Sequence, residues 1–172
     1  GYFSTGIMTL LNRPLAEFVS RGGKIRLVCS HQFSEQDIEN IQAGYDWKNT
    51  LDQSLLKEID QALDEPHGKA VLNFVSCLIA TNALDLSIAF KPGSRGIYHA
   101  KKGVFRDSAG NLITFSGSIN ESYTGWSTDG NHEEFEVFKS WSTENERALR
   151  HAREFERLWN DQEPNLSVHP FP

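Results

Sequence analysis

Only two cysteines occur in the chain, Cys29 and Cys77. They are too few for a disulfide scaffold, and a reducing, cytoplasmic setting fits them best. Long hydrophobic runs are also missing. The apolar stretch over 71–80 is short and broken by Asn73 and Ser76, so it predicts a buried helix and not a membrane span. No secretory leader is recognisable, and no internal repeat or low-complexity segment occurs, which argues against solenoids and linkers. Positive charge is in deficit, with 17 Lys and Arg against 23 Asp and Glu for a formal net charge of −6. That balance opposes indiscriminate association with a polyanion. Cys29 and His31 stand close together, but no second Cys/His pair completes a ligand set. No metal or other cofactor is expected.

What is present suits one domain. The chain has 172 residues, 38% of them hydrophobic and 23% charged, enough to bury a proper core. It opens without Met and is expected to be a single domain over 1–172, cut from a longer polypeptide. Patterning predicts a strand at 1–4 and a helix over 10–21 whose core begins at Pro14, because proline is tolerated in a first turn. Gly22-Gly23 ends that helix before an apolar strand at 24–30. Ser34-Glu35-Gln36-Asp37 has the form of a capped helix start. A helix over 47–63 carries Leu51, Leu55, Leu56, Ile59 and Leu63 as a core stripe, and 67–82 predicts a second, more buried one. Strands follow at 84–90, 97–105 and 112–116, the last two joined by a tight turn at 107–111. A short helix at 121–125 and a polar loop at 126–130 precede a strand over 133–141. Thr143-Glu144-Asn145-Glu146 predicts a capping box for a helix through Trp159, and the tail from 163 is expected to be extended. Strands alternating with helices predict an α/β fold: one mixed central sheet, helices on both faces, and a site at strand ends.

The chemistry-bearing residues are concentrated in one block. His99-Ala100-Lys101 is followed by Gly117-Ser118-Ile119-Asn120 and by Asn131-His132-Glu133. A period of two puts His99 and Lys101 on one strand face and Ala100 on the other. An ammonium then grips phosphate oxygens while a ring nitrogen stands beside phosphorus. His31, His67, His132, His151 and His169 lack such companions and are expected at the surface or at helix caps. Lys91, Arg95, Lys101, Lys102 and Arg106 cluster around the block, so the site is expected to be locally positive on an acidic body.

His99-x-Lys101 with Gly117-Ser118-x-Asn120 and the later Asn131-x-Glu133 resembles the phospholipase D superfamily. The opening Gly1-Tyr2-Phe3-Ser4 and the strand Gly22-Gly23-Lys24-Ile25-Arg26-Leu27-Val28 resemble the single-motif nuclease domains attached to bacterial helicases and restriction systems. The resemblance implies a phospholipase D-like fold and a phosphodiesterase that needs no metal. It implies His99 as the nucleophile that becomes a phosphohistidine, and Lys101, Ser118 and Asn120 as ligands of the non-bridging oxygens. Glu133, with Glu134 as the alternative, would fix the tautomer of a histidine. One departure stands out: Arg106 occupies the place of the motif's aspartate and Asp107 comes one later, in the turn 107–111; the resemblance implies that this residue supports the fold of the motif and does not touch substrate. With one motif per chain, the resemblance implies a homodimer sharing one active site on its two-fold axis. Nucleic acid, DNA before RNA, is the expected substrate, with a tethered helicase or ATPase domain and no membrane. A lipid phosphodiesterase or phosphatidyltransferase and a non-catalytic DNA-binding or dimerisation module are the alternatives.

Overall fold

The computed structural model describes residues 5–31, 34–42, 47–64, 67–92, 94, 96–118 and 132–171. The strand expected at 1–4, the helix at 121–125 and the loop at 126–130 lie outside them. The described residues form five helices and six strands: α1 Thr5–Ser20, β1 Ile25–Ser30, α2 Glu35–Gln42, α3 Trp47–Asp64, α4 Gly68–Ala80, β2 Leu84–Phe90, β3 Lys101–Arg106, β4 Leu112–Gly117, β5 Phe135–Lys139, α5 Asn145–Trp159 and β6 Ser167–Pro170. The class is mixed α/β, as expected.

The sheet is not single. β1 runs parallel to β2, with Ile25 opposite Leu84 and Ser30 opposite Ala89. β6 lies antiparallel on the other side of β2. β3, β4 and β5 make a separate antiparallel sheet. The one mixed sheet expected from the sequence is therefore two sheets of three strands, only the first of them mixed. The break falls just before β3, where the Tyr98 N–H donates to the Ser30 hydroxyl at 3.0 Å. A side chain takes a hydrogen bond that a ladder carbonyl would otherwise accept.

Both faces of the first sheet are covered by helices. Ile25, Leu27 and Leu84 pack with Val19 of α1 and with Phe74, Val75 and Leu78 of α4. Ile88 and Phe90, on the same face, meet Leu51 and Leu55 of α3. On the opposite face Ala89, Val28 and Val168 meet Leu158 of α5. Among the described residues, the second sheet has a helix on one face only, where α5 packs against all three strands. There Leu112, Thr114 and Phe138 are buried with Ala148, His151 and Ala152. The other face leaves Phe105, Phe135 and Val137 exposed at 61%, 55% and 44%.

Several local expectations need correction. Pro14 lies inside α1, which begins at Thr5. The forfeited backbone hydrogen bond is offset by Leu11 and Leu15, which pack on Val71 of α4. In α3 the buried stripe is Leu51 and Leu55, whereas Leu56 and Leu63 are 60% and 46% exposed. α4 is half-buried and not enclosed: Val71 and Leu78 are buried, but Cys77 is exposed. The first capping box forms as expected. Ser34 Oγ accepts the Asp37 N–H at 3.2 Å, and the Asp37 carboxylate accepts the Ser34 N–H at 3.0 Å. The second does not. α5 has Glu144 as its N-cap with no side-chain cap, and the Glu144 N–H donates to Ser142 Oγ at 3.2 Å. The expected extended tail is a strand, β6, paired with β2.

Candidate active site

The candidate site is assembled at one end of the second sheet, where the alternation of side chains and the register of three strands meet. Lys101 opens β3 and stands opposite Gly117, the last residue of β4. Gly117 in turn faces Phe135 at the start of β5. A Cβ at Gly117 would lie 2.2 Å from the Glu134 carbonyl oxygen and 2.6 Å from Phe135 Cβ. Only glycine allows β5 to approach β4 this closely.

His99 precedes β3 by two residues, so the strand is shorter at this end than the 97–105 expected. The consequence drawn from the period of two nevertheless holds. Lys101 Nζ lies 2.7 Å from Nδ1 and 2.7 Å from Nε2 of His99. An ammonium only donates, and which of the two equidistant ring nitrogens accepts depends on the tautomer. The His99 side of this pair is exposed, while Lys101 is 7% exposed.

Two residues missed in the sequence hold His99 outward. Tyr98 packs with Ala89, Leu158 and Val168, and burial pushes its phenol up, with Glu163 and Glu154 adding to the effect. Its N–H is the one tied to Ser30. With Tyr98 anchored inward, the next side chain must point away. The same alternation that singled out His99 was the available signal for Tyr98.

Ser118 follows Gly117 and extends the pairing by one residue: its N–H donates to the Glu134 carbonyl at 3.0 Å. Its hydroxyl donates to the Glu133 carboxylate and accepts the Glu134 N–H at 3.2 Å. Of the two glutamates, Glu133 thus reaches Ser118, while the Glu134 carboxylate lies 3.7 Å from Nε2 of exposed His132. Two pairs stand on neighbouring strands at one sheet end, His99 with Lys101 and Ser118 with Glu133. The Ser118 hydroxyl is one partner of the Glu133 carboxylate among the described residues. Asn120 and Asn131 lie outside the described residues, as does Arg95.

Asp107 sits at the opposite end of the β3–β4 hairpin. Its carboxylate accepts the N–H groups of Ala109 and Asn111, each at 2.9 Å, and the Asn111 amide at 2.8 Å. The Asn111 hydrogen bonds hold this carboxyl below its ordinary value. It ties the turn and is far along the strand from Lys101. The local positive charge is thinner than the sequence implies, since Lys102 is paired with Glu154 at 2.6 Å.

Two histidines expected at the surface are buried. His31 is 2% exposed, with Nδ1 3.2 Å from Glu58. His151 is 7% exposed. It meets Thr114 Oγ1 at 3.2 Å and the edge of Phe138 at a centroid distance of 5.3 Å. A lone histidine in an amphipathic helix reads as polar, and only packing reveals that its face is the inner one. Thr114→Val would leave His151 without this partner and is expected to destabilise by about 1–3 kcal/mol in denaturant unfolding.

Burial pushes the His151 imidazole below its ordinary value, Lys102 and Arg150 push the same way, and Glu154 and Glu136 oppose them. The folded protein therefore resists the proton that the unfolded chain accepts. The stability this group contributes is complete above the unfolded pKa and is lost as pH falls below it. Between about pH 7 and about pH 5, the melting temperature of the parent should fall more steeply than that of His151→Phe. Equal slopes would exclude this account. The chain matches no protein-family model, and no curated protein or solved structure is significantly similar to it.

Proposed function

We propose that this chain is a metal-independent phosphodiesterase of the phospholipase D type, a nuclease that cleaves DNA through a phosphohistidine within a helicase-linked DNA-processing or restriction protein. The observation that supports it most is the ammonium of Lys101 held 2.7 Å from the ring of exposed His99. In this reading a neutral His99 attacks phosphorus through a ring nitrogen. The P–O bond to the leaving nucleoside breaks, and the departing alkoxide takes a proton from a second imidazolium. Water then attacks the phosphohistidine, gives its proton to that second imidazole, and releases His99. Lys101 and Ser118 hold the non-bridging oxygens as charge gathers on them. Glu133, beside Ser118, keeps that hydroxyl oriented, and Asn120 completes the set by resemblance.

The second imidazole comes from another copy of the chain, since each carries one His-x-Lys motif. The exposed apolar face of the second sheet supports this reading. Lys101 lies on the same face as Phe105, Phe135 and Val137, so a second copy seated there brings two sites together. Rate should then depend on concentration. Cleavage of DNA in EDTA is expected, with specific activity falling on dilution in step with the loss of dimer seen by sedimentation. Full activity from a demonstrated monomer would rule out the shared site, and an inert protein at every concentration would remove the proposal altogether.

A further inference from the structure

A cleft of about 470 Å³ opens between the β3–β4 hairpin and α5, at the far end of β3 from Lys101. Its floor is apolar, with Leu112 buried and Leu149 exposed at 41%. Its rim carries Arg106 from β3 and Arg153 and Arg157 from one face of α5, together with Glu156. In an amphipathic helix this i, i+3, i+4 grouping is a single stripe.

The charges on this rim are not equally engaged. Glu156 is held in a two-pronged bond by Arg26, with one contact at 2.9 Å, and that bond draws its carboxyl below the ordinary value. Arg157 is held by Glu163, with contacts at 3.0 and 2.9 Å. Arg106 and Arg153 make no hydrogen bond or ion pair among the described residues. Two guanidinium groups therefore face solvent over an apolar floor, on a chain whose net charge is −6. The Glu156 carboxylate, which feels the Arg106 charge, is already bridged by Arg26, so positive charge remains in excess on this rim, and guanidinium forks fit phosphate oxygens.

We propose that this cleft binds a phosphodiester of the nucleic-acid backbone, a second anchoring point remote from the site of cleavage. This rests on the nuclease reading given above. Lys101 and Arg106 lie on opposite faces of β3, but β3 is an outer strand of its sheet, so a ligand can pass from one to the other around this free edge. Five residue steps span roughly 17 Å, and phosphates on one strand of B-form DNA advance about 3.4 Å each. The path around the edge is longer than this span, so the two points are at least about five nucleotides apart. The anchor accounts for how an acidic protein holds a polyanion at one place.

The test compares the full chain carrying His99→Ala, which holds DNA without turning it over, with the same chain carrying Arg106→Ala and Arg153→Ala. Affinity for a labelled 20-mer duplex is measured by anisotropy across a salt series. Loss of the two contacts should weaken binding on the order of tenfold and make the log–log salt slope shallower by about 1.8. Lys69→Ala, at an exposed position of α4, should change neither. Unchanged affinity and slope overturn the cleft while leaving cleavage by the parent intact. An independent arm follows the arginine Nε–Hε resonances during titration with inorganic pyrophosphate. Movement of Arg106 and Arg153 supports the cleft even if the parent proves inert on DNA. Stationary resonances overturn it, and movement with hexaglutamate but with neither phosphate nor DNA overturns it in favour of an acidic protein partner.

Discussion

His99→Ala should lower the rate of DNA cleavage in EDTA by on the order of a thousandfold or more, the scale set by removing a nucleophile elsewhere. The side chain is exposed, so its removal should leave stability within about 0.5 kcal/mol of the parent. The loss will then be chemical and not a failure to fold, which circular dichroism and the melting temperature can establish. Lys101→Ala should fall less far, by roughly a hundred- to a thousandfold, because it removes one stabiliser of developing charge and leaves the nucleophile. It carries a structural complication, since Lys101 is 7% exposed and opens β3. Lys101→Arg keeps the charge and separates the two effects. Reactions with 32P-labelled DNA quenched in alkaline detergent, where a P–N bond to histidine survives, should retain label on the parent and none on His99→Ala. A His99→Ala protein that cleaves as fast as the parent would falsify the assignment.

The second large effect is expected at Gly117. The added methyl of Gly117→Ala would fall 2.2 Å from a backbone oxygen and 2.7 Å from a backbone carbon of the adjoining strand. Neither can rotate away as a side chain can. The β4–β5 pair must separate at this end, at a cost of about 1–3 kcal/mol, equivalent to several degrees in melting temperature for a chain of this length. Cleavage should fall as well, because Ser118 and Glu133 are joined across that pair. Gly110→Ala is the natural comparison: Gly110 has φ +85° with nothing within 4 Å of an added Cβ. Its cost is backbone strain alone, about 1 kcal/mol, with cleavage unchanged. Loss of hydrogen-exchange protection at the Ser118 amide in Gly117→Ala would place the damage. A Gly117→Ala protein as stable as the parent would show that the two strands are not so closely joined.

How much of this could be read in the sequence depended on the distance between the partners. The bounds of β2 and α3 were legible nearly to the residue, although two leucines of the expected α3 stripe are exposed. His99 and Lys101 are two apart, and local alternation suffices to bring them together. Ser118 and Glu133 are 15 apart, and their meeting requires a strand pairing that no local pattern states. The same limit explains the division of the sheet, since alternation assigns faces but does not choose neighbours. β6 is a strand because β2 offers it an edge, not because Ser167–Pro170 has strong strand character. Pro170 lacks a donor and is tolerated because β6 is an outer strand. The helix start expected at Pro14 failed where packing outweighed a local signal, whereas the helix expected after Thr143 formed without its side-chain cap.

The placing of α5 has one last consequence. It is made after every strand but β6, yet both sheets lean on it: the Ala148–Ala152 turn covers one and Leu158 covers the other. A ribosome that has released everything up to Lys139 has delivered two sheets that each still lack a wall. The nascent chain has no partial folded form to rest in, and a nick or stop ahead of Asn145 should yield insoluble product and not a smaller working protein.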